Sequence, residues 1–209
     1  MATITWDSFY PYVQPYVTGC PEIVIESHLQ EAAAEFCAKS EVWRFVIDPD
    51  YTSKNTADYE IDVPKETKLE NILYFYLDGE QIPNISERYN PEAMTQEGTA
   101  EKGTPKYYSI LDDTSIKFHP TPLTKHTFNG LAVLKPKLTA TGVEDFIFET
   151  HRRAIAAGAI ARIAEIPRKE WTNPELAMKS KIEFERAICE AQGRDTRRSR
   201  LRVAPVNFA

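Results

Sequence analysis

The feature that most constrains this chain is a run of small residues in its last third, HRRAIAAGAIARIAEI (residues 151–166). Ala154, Ala156, Ala157, Gly158, Ala159, Ala161 and Ala164 crowd a segment whose other apolar members are Ile155, Ile160 and Ile163. The pattern predicts a helix over residues 143–165. Gly costs about 1 kcal/mol in a helix interior relative to Ala, so Gly158 is expected where a neighbouring helix approaches the backbone closely. Pro167 ends this helix. Asn173-Pro174-Glu175 opens the next with an N-cap, a first helical residue and an acid that the helix dipole favours. Along the final helix Ala177, Phe184, Ile188 and Ala191 form the inward stripe, and Gly193 reads as its close. Trp43, Gly158, Trp171, Asn173 and Pro174 are accordingly assigned to the integrity of the fold.

A second helical unit is expected over residues 6–44, broken at Gly19, Cys20 and Pro21, with Pro21 at a first helical position. Ile25, Leu29, Ala32, Phe36 and Trp43 place one apolar stripe along it, opposite Glu22, Glu26, Gln30 and Lys39. Between the helical parts, residues 45–140 turn β-rich. Tyr59–Val63 alternates, Ile72–Leu77 is a buried-strand run, and Asp78-Gly79 is a two-residue hairpin signal. Tyr107–Leu111, Asp112-Asp113 and Ser115–Phe118 are spaced as another hairpin, and Phe128–Pro136 supplies a further strand. Residues 84–105 are polar, with little periodicity, and read as a long exposed loop. The fold class is therefore α+β. N-terminal helices (1–44) and C-terminal helices (141–193) form a helical bundle, a β-rich domain (45–140) is inserted, and an extended basic tail (194–209) follows.

At 209 residues, 42% hydrophobic and 27% charged, the chain can bury one large core or a core with an insertion. No apolar run approaches the roughly 20 residues that span a bilayer, and MATITWDSFYPYV lacks the pattern of a signal peptide. The expectation is a protein made and kept in a cytoplasm, with no membrane partner. Cys20, Cys37 and Cys189 stand far apart and predict neither a disulfide framework nor a zinc site. Charge is uneven: residues 194–209 hold five Arg against one Asp, a net of +4, which leaves −10 of the total −6 on residues 1–193. That tail, GRDTRRSRLRVAPVNFA with its preceding glycine, has no apolar period with which to order itself and is expected to take shape on a partner. An acidic body repels a duplex, so an acidic protein groove suits the tail better than phosphate does.

Chemistry is mostly excluded. There is no phosphate-binding glycine loop, no nucleophile elbow and no H-E-x-x-H. His28, His119, His126 and His151 lie on different elements and read as ordinary histidines. Asp48 with Asp50, and Asp112 with Asp113, are pairs that a hydrolase would have to bring together in a pocket, but their proline and turn neighbours favour structural roles. Tyr74, Phe75 and Tyr76 fit a strand alternating about a core better than a base-stacking platform. No catalytic, cofactor or metal residue is assigned, and the chain reads as a non-enzyme. The second reading is a nucleic-acid-binding protein that places the arginine tail on phosphates, with a steep salt slope that disappears when the tail is removed.

The order of helix pair, β insertion, Ala/Gly-rich helix, W-x-N-P link, final helix and extended tail resembles the head-to-tail adaptor (connector) proteins of tailed bacteriophages, especially those with short tails. Two segments carry the likeness. PEIVIESHLQEAAAEFCAKSEVWR is similar to the family's amphipathic helix, with Ala34, Glu35, Phe36, Cys37, Trp43 and Arg44 at its motif positions. HRRAIAAGAIARIAEIPRKEWTNPE matches its G-A-x-A-R…P…W-x-N-P segment through Gly158, Ala159, Ala161, Arg162, Pro167, Trp171, Asn173 and Pro174. The resemblance implies a structural virion protein at the neck: a ring of subunits beneath the portal protein, twelve to match it. The tail or nozzle protein lies below, and genomic DNA passes through the lumen. It also implies that the C-terminal tail docks on the portal. Arg194, Arg197, Arg198, Arg200 and Arg202 would pair with carboxylates, and Val203, Val206 and Phe208 would anchor in apolar pockets or on a strand edge. The loop at 84–105 is then a candidate for contacting a neighbouring subunit or the tail protein.

Overall fold

The computed structural model describes residues 3–85 and 102–200, the side chains of 194–200 excepted. The protein mixes α and β, and the chain divides into two compact units: one runs up to Trp43 and resumes at Lys135, and the other is Arg44–Leu134.

In the first unit strand β1 (Thr3–Thr5) leads into a 3₁₀ turn (Trp6–Phe9), short helix α1 (Tyr10–Val13) and long helix α2 (Glu22–Ser40). After the second unit come β11 (Gly142–Glu144), α3 (Asp145–Glu165) and α4 (Pro174–Arg200). β1 pairs antiparallel with β11, and Trp6 donates its indole N–H to the Ala140 carbonyl at 2.6 Å. Pro21 is extended and stands just outside α2 instead of in its first turn, so the helix opens at Glu22. It also stops short of Trp43. Glu41 takes the left-handed conformation (φ 55°) and returns its N–H to the Cys37 carbonyl, which closes the helix at Ser40. Trp43 lies beyond that cap, buried, and meets Phe146 edge-on at 6.3 Å.

Helix α3 packs against both α2 and α4. The shared core holds Ile25, Leu29, Ala32 and Phe36 from α2, Ile155, Ala159 and Ile163 from α3, and Ala177, Phe184 and Ile188 from α4. A Cβ added at Gly158 would stand 2.7 Å from the Phe184 ring and 3.0 Å from the Ala32 methyl, so the absent side chain sets how closely three helices meet. Four residues on, the Arg162 guanidinium donates to the Gly158 carbonyl, lies 5.5 Å from the Phe184 ring centre and pairs with Glu35 of α2. Gly193 does not close α4. Its φ is not positive, as a glycine cap requires, no neighbour crowds it, and the helix continues to Arg200.

The second unit contains β2 (Arg44–Tyr51), β3 (Asp58–Glu60), β4 (Thr67–Leu77), β5 (Glu80–Gln81), β6 (Lys102–Gly103), β7 (Tyr107–Ile110), β8 (Ser115–His119), β9 (Thr121–Pro122) and most of β10 (Thr127–Pro136). The sheet orders are β2-β10-β4-β5, β3-β8-β7 and β6-β9, and a parallel bridge from Asn84 to Tyr108 ties the segment after β5 to β7. Asp78 (φ 51°) and Gly79 (φ 85°) make the two-residue turn between β4 and β5, both left-handed as the strand twist demands. Inside, Phe75 lies 4.6–5.8 Å from the rings of Tyr108, Phe118 and Phe128, and Tyr59 meets the last two edge-on. Burial pushes the Tyr108 hydroxyl up to about 12. Phe75 is thus core while Tyr74 is 48% exposed. The ends of the expected 84–105 loop are held: Ile85 donates its N–H to the Tyr108 carbonyl, and Lys102–Gly103 pairs with β9. Residues 86–101 lie outside the described part.

Gly158→Val is expected to lower the melting temperature more than Gly158→Ala, because a branched side chain must displace a buried phenyl ring. Overpacking costs about 1–3 kcal/mol against about 1 kcal/mol of helix propensity regained by alanine. An unchanged or raised midpoint for the valine variant would contradict the close approach. Glu35 gives a pH test. Burial opposes its charge, but Lys39 at 2.6 Å and Arg162 outweigh that and hold the carboxyl below the usual glutamate range. A lowered folded value contributes stability above the unfolded value of about 4.3, lost as pH falls through the folded one. The urea midpoints of the native chain and Glu35→Gln should therefore differ most near neutrality and converge on acidification.

Candidate functional site

The basic segment expected to meet a partner begins at Arg194, so its placement is decided by α4. At the start of that helix the Asn173 side chain accepts the Leu176 N–H at 3.1 Å, and Pro174 fills the first helical position. Asn173 also donates its own N–H to the Ala164 carbonyl at 3.0 Å, fastening the start of α4 to the end of α3. In the link between them the Thr172 hydroxyl donates to the Ile166 carbonyl, while the enclosed indole N–H of the half-buried Trp171 has no partner among the described residues.

Midway, Phe184 occupies the space over Gly158. At the far end Ala191 is buried, and the Gln192 amide donates to the Lys39 carbonyl at 2.5 Å. That carbonyl belongs to the last turn of α2, where helix oxygens lack intrahelical donors, so Gln192 satisfies one helix end with the side of another. Helix α4 is therefore fixed two residues before Arg194. The tail was expected to be extended from residue 194. Instead Arg194, Arg197, Arg198 and Arg200 stand on the last turns of α4, because no proline or left-handed residue interrupts it there. Arg202, Val203, Val206 and Phe208 lie outside the described residues.

The residues weighed for catalysis have local duties. Asp112 accepts the N–H groups of Thr114 and Ser115, both at 2.9 Å, and these bonds hold its carboxyl below the usual range. Asp113 sits 3.5 Å from Lys68. Asp48 and Asp50 are on β2, apart from that turn, and Asp50 accepts the Tyr51 N–H. His28 bonds Glu31, His119 bonds Ser109, His126 bonds Asp78, and His151 lies against Phe36. Among the described residues no three His, Cys, Asp or Glu side chains gather as metal ligands, and no helix is long and apolar enough to cross a membrane. Burial pushes the Cys37 thiol up to about 12, whereas Cys189 is exposed.

Sequence reasoning missed two surface features of the helical unit. One is a cleft of about 500 Å³ between α1 and its following turn, α3 and α4, walled by Tyr12, Pro15 and Tyr16 and floored by Ala157 and Ile160. The other is an exposed apolar pair on α4, Met178 and Ile182. The pair was detectable, since its i, i+4 spacing falls off the inward stripe. The cleft was not, because the short α1 and its turn carry no period.

No curated protein matches the chain. A model of the SU10 adaptor protein family matches residues 12–204, from α1 past the end of α4 and through the whole β-rich unit. Over that span the chain belongs to the SU10 adaptor protein family, whose role is structural, joining head to tail at the neck of a phage virion.

Proposed function

We propose that copies of this chain form a ring beneath the portal, twelve to match it, with the C-terminal segment of each copy docked on the portal and the genome passing through the lumen. The observation that carries this reading is the triple fastening of α4. Asn173 ties it to α3, Phe184 seats over Gly158, and Gln192 reaches the end of α2, after which the arginines begin. A helix held so close to its exit delivers the basic run in one direction from a folded platform. Arg194, Arg197, Arg198, Arg200 and Arg202 would pair with portal carboxylates, where charge-assisted hydrogen bonds are about twice as strong as neutral ones. Val203, Val206 and Phe208 would fill apolar pockets or extend a portal strand. The helical bundle with its β-rich insertion is the body of the subunit, and the stretch at 84–105 is its contact with a neighbour or with the tail protein below. The net −10 on residues 1–193 suits a lumen wall that repels phosphate and lets DNA slide.

Electron microscopy of the portal ring of the same virus, mixed with full-length protein and with protein truncated after Gly193, tests the docking. The truncation keeps the Gln192 tie, so the platform is retained. Full-length protein should form a ring on one end of the portal and the truncated form none. If neither binds while full-length protein retards DNA with a steep salt slope, the arginines serve phosphate and the reading fails. For the lumen, replacing wall carboxylates by amides is expected to slow DNA ejection; an unchanged rate would remove charge from the account.

A further inference from the structure

We infer that in the ring each copy sets the Met178–Ile182 face of its α4 into the cleft between α1, α3 and α4 of the next copy, so that one helix serves both sides of the subunit contact. This inference rests on the ring reading above.

Helix α4 carries two outward stripes. Leu176, Lys179, Ser180 and Glu183 line the cleft. Glu175, Met178, Ile182, Glu185 and Cys189 are all exposed and recur at three, four, three and four, the spacing of a helix seam that packs on another surface. At about 100° of rotation per residue the mean directions of the two stripes lie roughly 130° apart, so they are two distinct faces of the helix. Met178 is 68% and Ile182 60% exposed, and one helical turn apart they present a joint apolar surface.

Charge identifies the occupant. At the cleft, Arg153 and Lys179 flank an apolar floor and make no ion pair among the described residues; Glu183 is the one acid there. On the seam, Glu175 and Glu185 flank the two apolar side chains and are likewise unpaired, with Lys181 one position off it. The seam of one copy therefore brings apolar knobs and acids to a cleft that offers an apolar floor and cations. Seam against seam would oppose acids with acids, which disfavours a two-fold dimer. Two different, mutually complementary surfaces on one subunit are what a closed ring needs. The cleft of about 500 Å³ over Ala157 and Ile160 has room for a methionine and an isoleucine to enter.

Cross-linking on the portal tests this. In a Cys20→Ser, Cys189→Ser parent, Ile182→Cys is combined with Tyr16→Cys or with Arg153→Cys, all exposed positions, and treated with a short bis-maleimide. Either double variant should give covalent multimers beyond the dimer, while each single variant stays monomeric. Separately, Ile182→Arg should lower ring occupancy at least tenfold. If the parent forms a ring on the portal but neither double variant gives multimers, or if Ile182→Arg assembles as the parent does, this interface is wrong and the ring reading stands. If Ile182→Cys alone gives dimers, like faces meet and the interface is wrong. If the parent itself forms no ring, the ring reading fails first.

Discussion

Phe184 and Gly158 meet where three helices would otherwise be kept apart, and the helical unit is organised around that contact. Burying a phenyl ring contributes about 1.5–3 kcal/mol, whereas a mid-helix glycine costs about 1 kcal/mol, so the close approach wins over the propensity loss. Arg162 covers the ring and reaches Glu35, and through them α2, α3 and α4 converge on one position. Both charged groups are partly exposed, so the ion pair adds little on its own; its value is in orienting a guanidinium over an aromatic face.

The β-rich unit reaches its stability by a different route. Its β3, β5, β6, β7, β8 and β9 have five residues or fewer, and β6 and β9 form a two-stranded sheet, too small to be stable as an isolated ribbon. Five aromatic rings from β3, β4, β7, β8 and β10 fill the space between them instead. The Asp78-Gly79 turn is reinforced from outside, where Asp78 accepts the Thr127 N–H and holds His126 at 2.6 Å, tying the β4–β5 hairpin to the start of β10.

The elements legible in the sequence were those where local chemistry and tertiary packing agree. Asn173-Pro174 marks a helix start by its own hydrogen bonds, Asp78-Gly79 fixes a turn by its left-handed backbone, and the small residues around Gly158 announce a neighbour. What was hidden depends on distant partners. β2 contains Pro49 between two aspartates and buries one residue, Ile47, so it shows no alternation; it is a strand because β10 lies beside it. Gly193 looked like a stop because glycine usually ends helices, yet only the backbone angle decides, and here the helix runs on. Of the candidate site, the platform that holds α4 was partly legible through its cap and inward stripe. The Gln192–Lys39 tie joins residues 153 positions apart and has no local signature.

Arg44 and Val133, the first residue of the β-rich unit and its next to last, face each other across the β2–β10 ladder. Directly opposed residues in such a ladder sit about 4.5–5.5 Å apart. The chain thus leaves the helical unit and returns to it through adjacent positions, and what lies beyond the β2–β10 ladder can change in length without moving those two ends.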